Sequence, residues 1–539
     1  MPARSLCLPA ILAIASVGAG CSKGGQPPGH QTNRLRIALP INPTQLNPIL
    51  TQNSAESFAD GLMFNLLVTH DAHHRQIPDL AAIVPTLENG GISRDGRTVT
   101  YRLRRNVRWQ DGAPFTSRDV MFTWHAIMNP RNDVVSRGAF ERVASMEAPD
   151  PYTVVVHFKI PFAAAVDTIF GESDVPMRVL PAHLLQQEPD LNRVAFDAAP
   201  VGTGPYRFVR WLRGDRIELE ANTTYFHGMP HIEHITLQMV TDPSTVELEL
   251  RSHEVDLGVE IPSTVYRALA SATGVTLQSV AAPIYTAIYF NTRQPQLQDV
   301  RVRRALVLGA NRAAIVRNNG TSVTQLAVAD LSPYYWAFDP SLKAIPYDPA
   351  AAATLLDRAG WRRGPDGFRT KDGQQLSLLF AFPSNSQVTR DVAVQLQQMY
   401  RGIGVDLNLK GYDYTLYYAA AQSGGVLSAG RYDLGIRSSK FGSDPDDSSD
   451  WTCAAIPPAS TNYTRYCSPE MERLQRIATT DPRRSVRTRA YAGIEAMLLQ
   501  DAPAAFISYQ PFRYAYASDL RHFSPNGITE TWNAQQWAR

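Results

Sequence analysis

An excess of charge of one sign is missing from this sequence. Lys and Arg number 52 against 50 for Asp and Glu, a formal net charge of +2 over 539 residues. With no arginine-rich block either, that balance gives no support to a nucleic-acid partner. Long apolar runs are missing too: past residue 20 nothing approaches the ~20 residues that span a bilayer. Patterns for enzyme chemistry are equally scarce, with no H-E-x-x-H, no Walker loop and no C-x-x-C. One G-x-S-x-G exists, from Gly20 to Gly24, but a nucleophile elbow needs a strand-to-helix turn, and a polar glycine-rich stretch supplies none. Cysteines number only 4. The cluster His70, His73 and His74 lacks a carboxylate or thiol at a metal-site spacing, so it reads as a solvated loop. "SDPDDSSDW", with Asp444, Asp446, Asp447 and Asp450, lacks the spacing and closing Glu of an EF-hand, and reads as a solvated turn or part of a polar ligand site.

What is present begins at the N-terminus. Arg4 precedes an uncharged apolar run over 6–17, and small residues close it. That is the pattern of an export signal over 1–20. Val17-Gly18-Ala19-Gly20-Cys21 resembles the lipobox of bacterial lipoproteins, which implies that Cys21 becomes the lipidated first residue. Residues 21–33 then form a Gly-, Pro- and Gln-rich tether that buries little. Cys7 would leave with the signal. Cys453 and Cys467 remain, and in an oxidising compartment a disulfide between them is expected.

The mature chain is too long for one ordinary core, so two or three lobes are expected. Strand-like alternation occurs over 98–103, 152–158 and 235–239. Thr116 with Asp119 approximates a capping box ahead of the stripe Val120, Met121, Trp124, Ile127 and Met128. In "YDPAAAATLLDRAGW", Asp348 caps, Pro349 suits the first turn and Gly360 ends the helix. "VRVRRALVLGANRAAIV" reads as one more helix with a basic face. These mixed signals indicate an α/β architecture. Tyrosines and phenylalanines concentrate in "APIYTAIYFNT", "GYDYTLYYAA" and "SYQPFRYAYAS"; rings of this kind line concave ligand sites, although most pack cores.

Six stretches in order resemble the extracellular solute-binding proteins of family 5, the oligopeptide- and dipeptide-binding proteins of ABC importers. They are "NVRWQDGAPFTSRDVMFTW", "PVGTGPYRFVRW", "DVRVRRALVLGANRAAIV", "YDPAAAATLLDRAGW", "LQQMYRGIGVDLNLK" and "GRYDLGI". The resemblance implies a periplasmic-binding-protein type II fold, two lobes joined by a hinge plus an extra domain. Lobe I would comprise 34–76, 200–285 and 508–539, the inserted domain 77–199, and lobe II 286–507. Gly202 and Gly204 are read as tight turns before a strand at 206–211. Candidate ligand-binding residues are Tyr285, Tyr289, Asn291, Arg437, Lys440, Phe441, Asp444 and Trp451. The implied partners are a peptide or similar small solute and an ABC permease with its ATPases, for a monomer that a lipid anchors on the periplasmic or outer face of a bacterial membrane. No cofactor, metal or nucleic acid is implied. Peptide-binding members carry an aspartate for the α-ammonium a few residues before an acidic-Pro pair. With Asp444-Pro445 as that pair its position falls near Phe441 or Gly442, with Lys440 beside it here, whereas a one-residue gap brings Asp444 itself into the role. On the first alignment a blocked, anionic or neutral polar ligand reaching Lys440 or Arg437 is expected. Asn311 stands where relatives carry aspartate, a change expected to affect a helix. The rival readings are a secreted hydrolase using Asp444 and Asp447, and a sensor or chaperone on the same fold.

Overall fold

Three sheets carry the architecture of the computed structural model, which describes residues 33–51 and 53–539. The export signal, Cys7, Cys21 and nearly all of the tether lie outside the described residues. The first sheet has seven strands in the spatial order Val275–Val280, Phe512–Ala517, Leu257–Gly258, Arg34–Leu39, His234–Met239, Arg216–Ala221 and Tyr206–Leu212. Its centre is parallel: Ile37 aligns with Leu257 on one side and with Leu237 on the other. The second sheet has six strands, in the order Gln325–Leu326, Ala504–Tyr509, Ile284–Phe290, Leu434–Lys440, Ser377–Pro383 and Asp406–Tyr412. A third, antiparallel sheet joins Thr98–Arg102, Thr153–Phe158 and Val143–Asp150. The chain passes between the two large sheets twice, at 281–283 and at 510–511.

Alternation along one strand shows how the second sheet is built. Ile288 and Phe290 enter an apolar core with Leu378, Phe380, Leu434 and Leu396. Their neighbours Tyr285, Ala287 and Tyr289 enter a separate core with Trp451, Tyr491 and Phe506. Successive side chains of a strand point to opposite faces, and a sheet covered on both faces needs apolar residues on each. The third sheet has no separate core. Val99, Tyr101, Val154 and Val156 pack in the same cluster as Leu35, Ile37 and Leu237, so the inserted segment and lobe I share one interior.

Local signals explain several elements. Helix Ser117–Met128 begins where the Asp119 carboxylate accepts the Thr116 N–H at 2.8 Å. Helix Pro349–Arg358 begins where Asp348 accepts from Ala351 N–H, also at 2.8 Å, and Gly360 comes after it at φ +91°. The stretch 300–319 differs from expectation, being two helices, Val300–Gly309 and Arg312–Asn319. Asn311 interrupts it by capping the second, accepting from Ala314 N–H at 3.0 Å. Its basic face is partly internal, because the Arg303 guanidinium donates to the carbonyls of Leu297, Gln298, Asp501 and Ala502. Gly202 and Gly204 differ in their reason as well. Neither has a positive φ. A Cβ on Gly202 would lie 1.8 Å from the Met63 carbonyl oxygen, and Gly204 N–H donates to that same oxygen at 2.7 Å. The signature allows two backbones to touch.

Candidate functional site

A cleft separates the second sheet's lobe from the other two, and it encloses a cavity of about 900 Å³. One wall comes from His70, His73, His74, Arg75 and Gln76, with Thr86, Leu87 and Glu88, and with Val166 and Asp167 of the inserted segment. The facing wall comes from Tyr334, Tyr335 and Trp336, from Ser443, and from Arg483, Arg484 and Arg487 at the start of helix Arg484–Asp501. The walls meet at defined contacts. Ser443 donates its N–H and its hydroxyl to the Glu172 carbonyl, at 2.8 and 2.9 Å. Ala163 N–H reaches the Thr479 carbonyl at 2.9 Å, and the His74 ring lies 4.1 Å from that of Tyr334. Gly442 sits against Ser173 so closely that a Cβ there would be 2.9 Å from the Ser173 Cα.

Charge at the base of the first wall is paired. His70 is buried between two carboxylates, Nε2 3.1 Å from Asp167 and Nδ1 3.2 Å from Glu172. Burial opposes its charge, yet Glu172 and Asp167 overcome that and raise it from 6.5 to about 10. Glu172 also accepts from Thr69, from His70 N–H and from Asn526. The histidine cluster is therefore not the solvated loop expected, since its first member is an internal cation. Asp71 holds the adjoining turn, accepting the His73 and Arg75 N–H groups and the Arg75 guanidinium.

The acidic stretch 444–450 is not a solvated turn either. Asp444, Asp447 and Asp450 are all buried. Asp444 is gripped by Arg487 Nη2, 2.5 Å from Oδ1 and 2.7 Å from Oδ2. Asp447 accepts from Gln475 at 2.8 Å, and burial together with neighbouring Asp330 holds its carboxyl well above the usual carboxylate range. Asp450 accepts from Tyr285, Tyr289, Ser439, Arg437 and Thr461. A buried carboxylate survives only with such partners.

That network decides where the expected ligand-binding residues stand. Tyr285 and Tyr289 bond each other at 2.9 Å and close around Asp450, both fully buried. Arg437 pairs with Asp450 at 3.0 Å and lies over the Tyr463 ring. Trp451 is fully enclosed and donates Nε1–H to Asp330 at 2.6 Å. Asn291 donates to the Tyr432 carbonyl. Phe441 is buried at the crossing, its N–H on the Pro283 carbonyl. Lys440 is exposed and lies over Phe512. None of these eight, Asp444 included, is among the residues bordering the cavity. The pleat of strand Ile284–Phe290 places both tyrosines on one face, and residues of the 444–491 layer, Trp451, Tyr466 and Tyr491 among them, pack over it. Cys453 and Cys467 are joined by a disulfide, with Cα atoms 4.8 Å apart, in that covering layer.

Several wall residues carried little signal. Tyr334, Tyr335 and Trp336 lie on a Pro-flanked, non-periodic loop, where an aromatic run without strand or helix period is the only hint. Arg484 and Arg487 read as ordinary helix arginines. Among the described residues no group of three His, Cys, Asp or Glu side chains is arranged to hold a metal ion, and no helix is long and apolar enough to cross a membrane.

Comparison with known proteins places this geometry. The family model for bacterial extracellular solute-binding proteins, family 5 (middle region), matches residues 77–454. The oligopeptide-binding protein AppA of Bacillus subtilis is 23% identical over 501 residues, 92% of this chain and 89% of that one. The glutathione-binding protein GsiB of Pectobacterium atrosepticum is 27% identical over 497 residues, 90% of this chain and 89% of that one. The crystal structure of NikZ from Campylobacter jejuni with Ni(L-His) superposes with a TM-score of 0.76 at 26% identity, covering 94% of this chain and 100% of that one.

Proposed function

Because this chain belongs to the bacterial extracellular solute-binding proteins of family 5, we propose that it captures a small peptide, or a solute of similar size, between its lobes for delivery to the membrane permease of an ABC importer. The observation that carries this reading is the cavity walled by both lobes. Its volume of about 900 Å³ lies within the ~300–1,000 Å³ of small-molecule sites. Two short crossings, 281–283 and 510–511, link the sheets, so a hinge there opens the cleft without unfolding either core. Ligand favours the closed state only to the extent that it binds that state better, through contacts to both walls at once. Relatives are named for oligopeptides and glutathione, and one structural neighbour holds a nickel–histidine chelate; all are polar solutes with several hydrogen-bonding groups. Within this reading Cys21 carries lipid, the 21–33 segment is a tether, and the protein acts as a monomer outside the cytoplasmic membrane. Residues 34–280 with 512–539 act as one body, the inserted sheet included, and 284–509 as the other. Asp444 and Asp447, the residues of the hydrolase alternative, are both held by protein partners.

Native mass spectrometry of freshly purified protein identifies the co-purifying solute, and small-angle scattering tracks closure when it is added back. A solute bound one to one that compacts the particle supports capture. A protein that neither retains a solute nor compacts with any member of a broad peptide and metabolite panel overturns it.

A further inference from the structure

Four arginines border the cavity, and three are neutralised by the protein itself. Arg75 pairs with Asp71 at 2.6 Å, Arg483 with Asp481 at 2.6 Å, and Arg487 with Asp444 at 2.5 Å. Among the described residues the guanidinium of Arg484 has no ion pair or hydrogen bond. Its carbon lies 4.6 Å from the centre of the Trp336 ring, and the buried Arg487 lies 5.1 Å from the same centre. The 4.6 Å separation is a cation–π contact, and the N–H groups of a guanidinium without a protein partner are available to a planar acceptor. Of the two acids bordering the cavity, Asp167 is taken by His70 and by Gln76, which donates at 2.6 Å, and Glu88 also borders an adjoining surface pocket together with Arg94.

We infer that the cleft selects solutes bearing a carboxylate and holds that group on the N–H edge of Arg484, with Trp336 as the platform that positions it. The inference rests on the capture reading above and names its ligand class. An anion in this position completes the arginine charge left open on the wall, whereas an ammonium would face Arg484 with Asp444 and Asp167 already engaged. The expectation of an anionic ligand is thereby moved from Arg437 and Lys440, which lie outside the cavity lining, to Arg484.

The test uses an N-acetylated random tripeptide library with free C-terminal acids and its C-terminally amidated twin, with retained species identified by mass spectrometry. The free acids are expected to bind about 10- to 100-fold tighter than their amides, the range of one charge-assisted pair. Arg484→Gln should erase that preference, and Arg484→Lys, which keeps charge without the fork, should recover part of it. The exposed position of Arg484 makes both variants foldable, and unchanged melting of the unliganded protein checks this. Equal retention of acids and amides, or a preference that survives in Arg484→Gln, overturns the inference and leaves capture standing. So does a co-purifying solute that closes the cleft but has no carboxylate. Failure of closure with every solute overturns both.

Discussion

Replacing Asp444 by Asn removes one charge at nearly constant shape and strands its partner in the interior. Asp444 and Arg487 have side chains only 2% and 7% exposed. The Arg487 Nε–H is spent on the Ala478 carbonyl at 2.6 Å, so its Nη2 depends on both Asp444 oxygens, with only a longer 3.4 Å bond to the Tyr491 hydroxyl besides. In the variant an arginine charge stays buried without its counter-ion. Breaking one side of such a pair costs about 3–5 kcal/mol, a large part of the stability of one lobe. Removing both charges, as in Asp444→Leu with Arg487→Met, should restore most of that loss, since the pair's attraction is largely cancelled by its own desolvation. Chemical denaturation read at a probe in lobe II measures the midpoint shift for the single and double variants. A loss below roughly 1 kcal/mol, the level of an exposed pair, would refute the reasoning. So would a stable Asp444→Asn protein that had specifically lost binding of free-amino peptides, because that result makes Asp444 the ammonium partner.

Three further outcomes are expected. Reducing Cys453–Cys467, separated by 14 positions, should cost about 3 kcal/mol in the chain-entropy model; an unchanged melting temperature in reductant, with both thiols titrated free, would contradict it. Burial raises Glu495 from 4.5 to about 9, and its Oε2 has no hydrogen-bond partner. Its neutral form therefore supports the fold fully below pH ~4.5, and that support is lost as pH rises through ~9, so Glu495→Gln should raise the melting temperature increasingly from pH 5 to 9, and a gain constant with pH would count against the assignment. Gly442→Ala places a Cβ 2.9 Å from the Ser173 Cα across the cleft; it should weaken ligand binding and leave a more open particle by scattering, with unliganded stability unchanged.

Features that depend on neighbours along the chain were legible before any fold was known. Caps at Asp348 and at Thr116 with Asp119, the strands near 98, 153 and 234, and the ordered family landmarks all rest on local spacing. Cys453 and Cys467 were legible as partners from composition and export alone. Which face reaches solvent was not legible, because it is settled by packing between distant segments. Tyr285 and Tyr289 alternate as a ligand wall would, yet the layer 444–491 covers them, and burial converts Asp450 from a surface acid into the hub of their hydroxyls. His70 carries no sign of Asp167 and Glu172, which lie about a hundred positions away and make it a buried cation. The Met63 carbonyl that requires Gly202, and the Asp444 carboxylate that silences Arg487 and so leaves Arg484 as the open charge, are likewise long-range contacts. Period and capping are written in adjacent residues, whereas desolvation and charge pairing depend on what the fold brings against them.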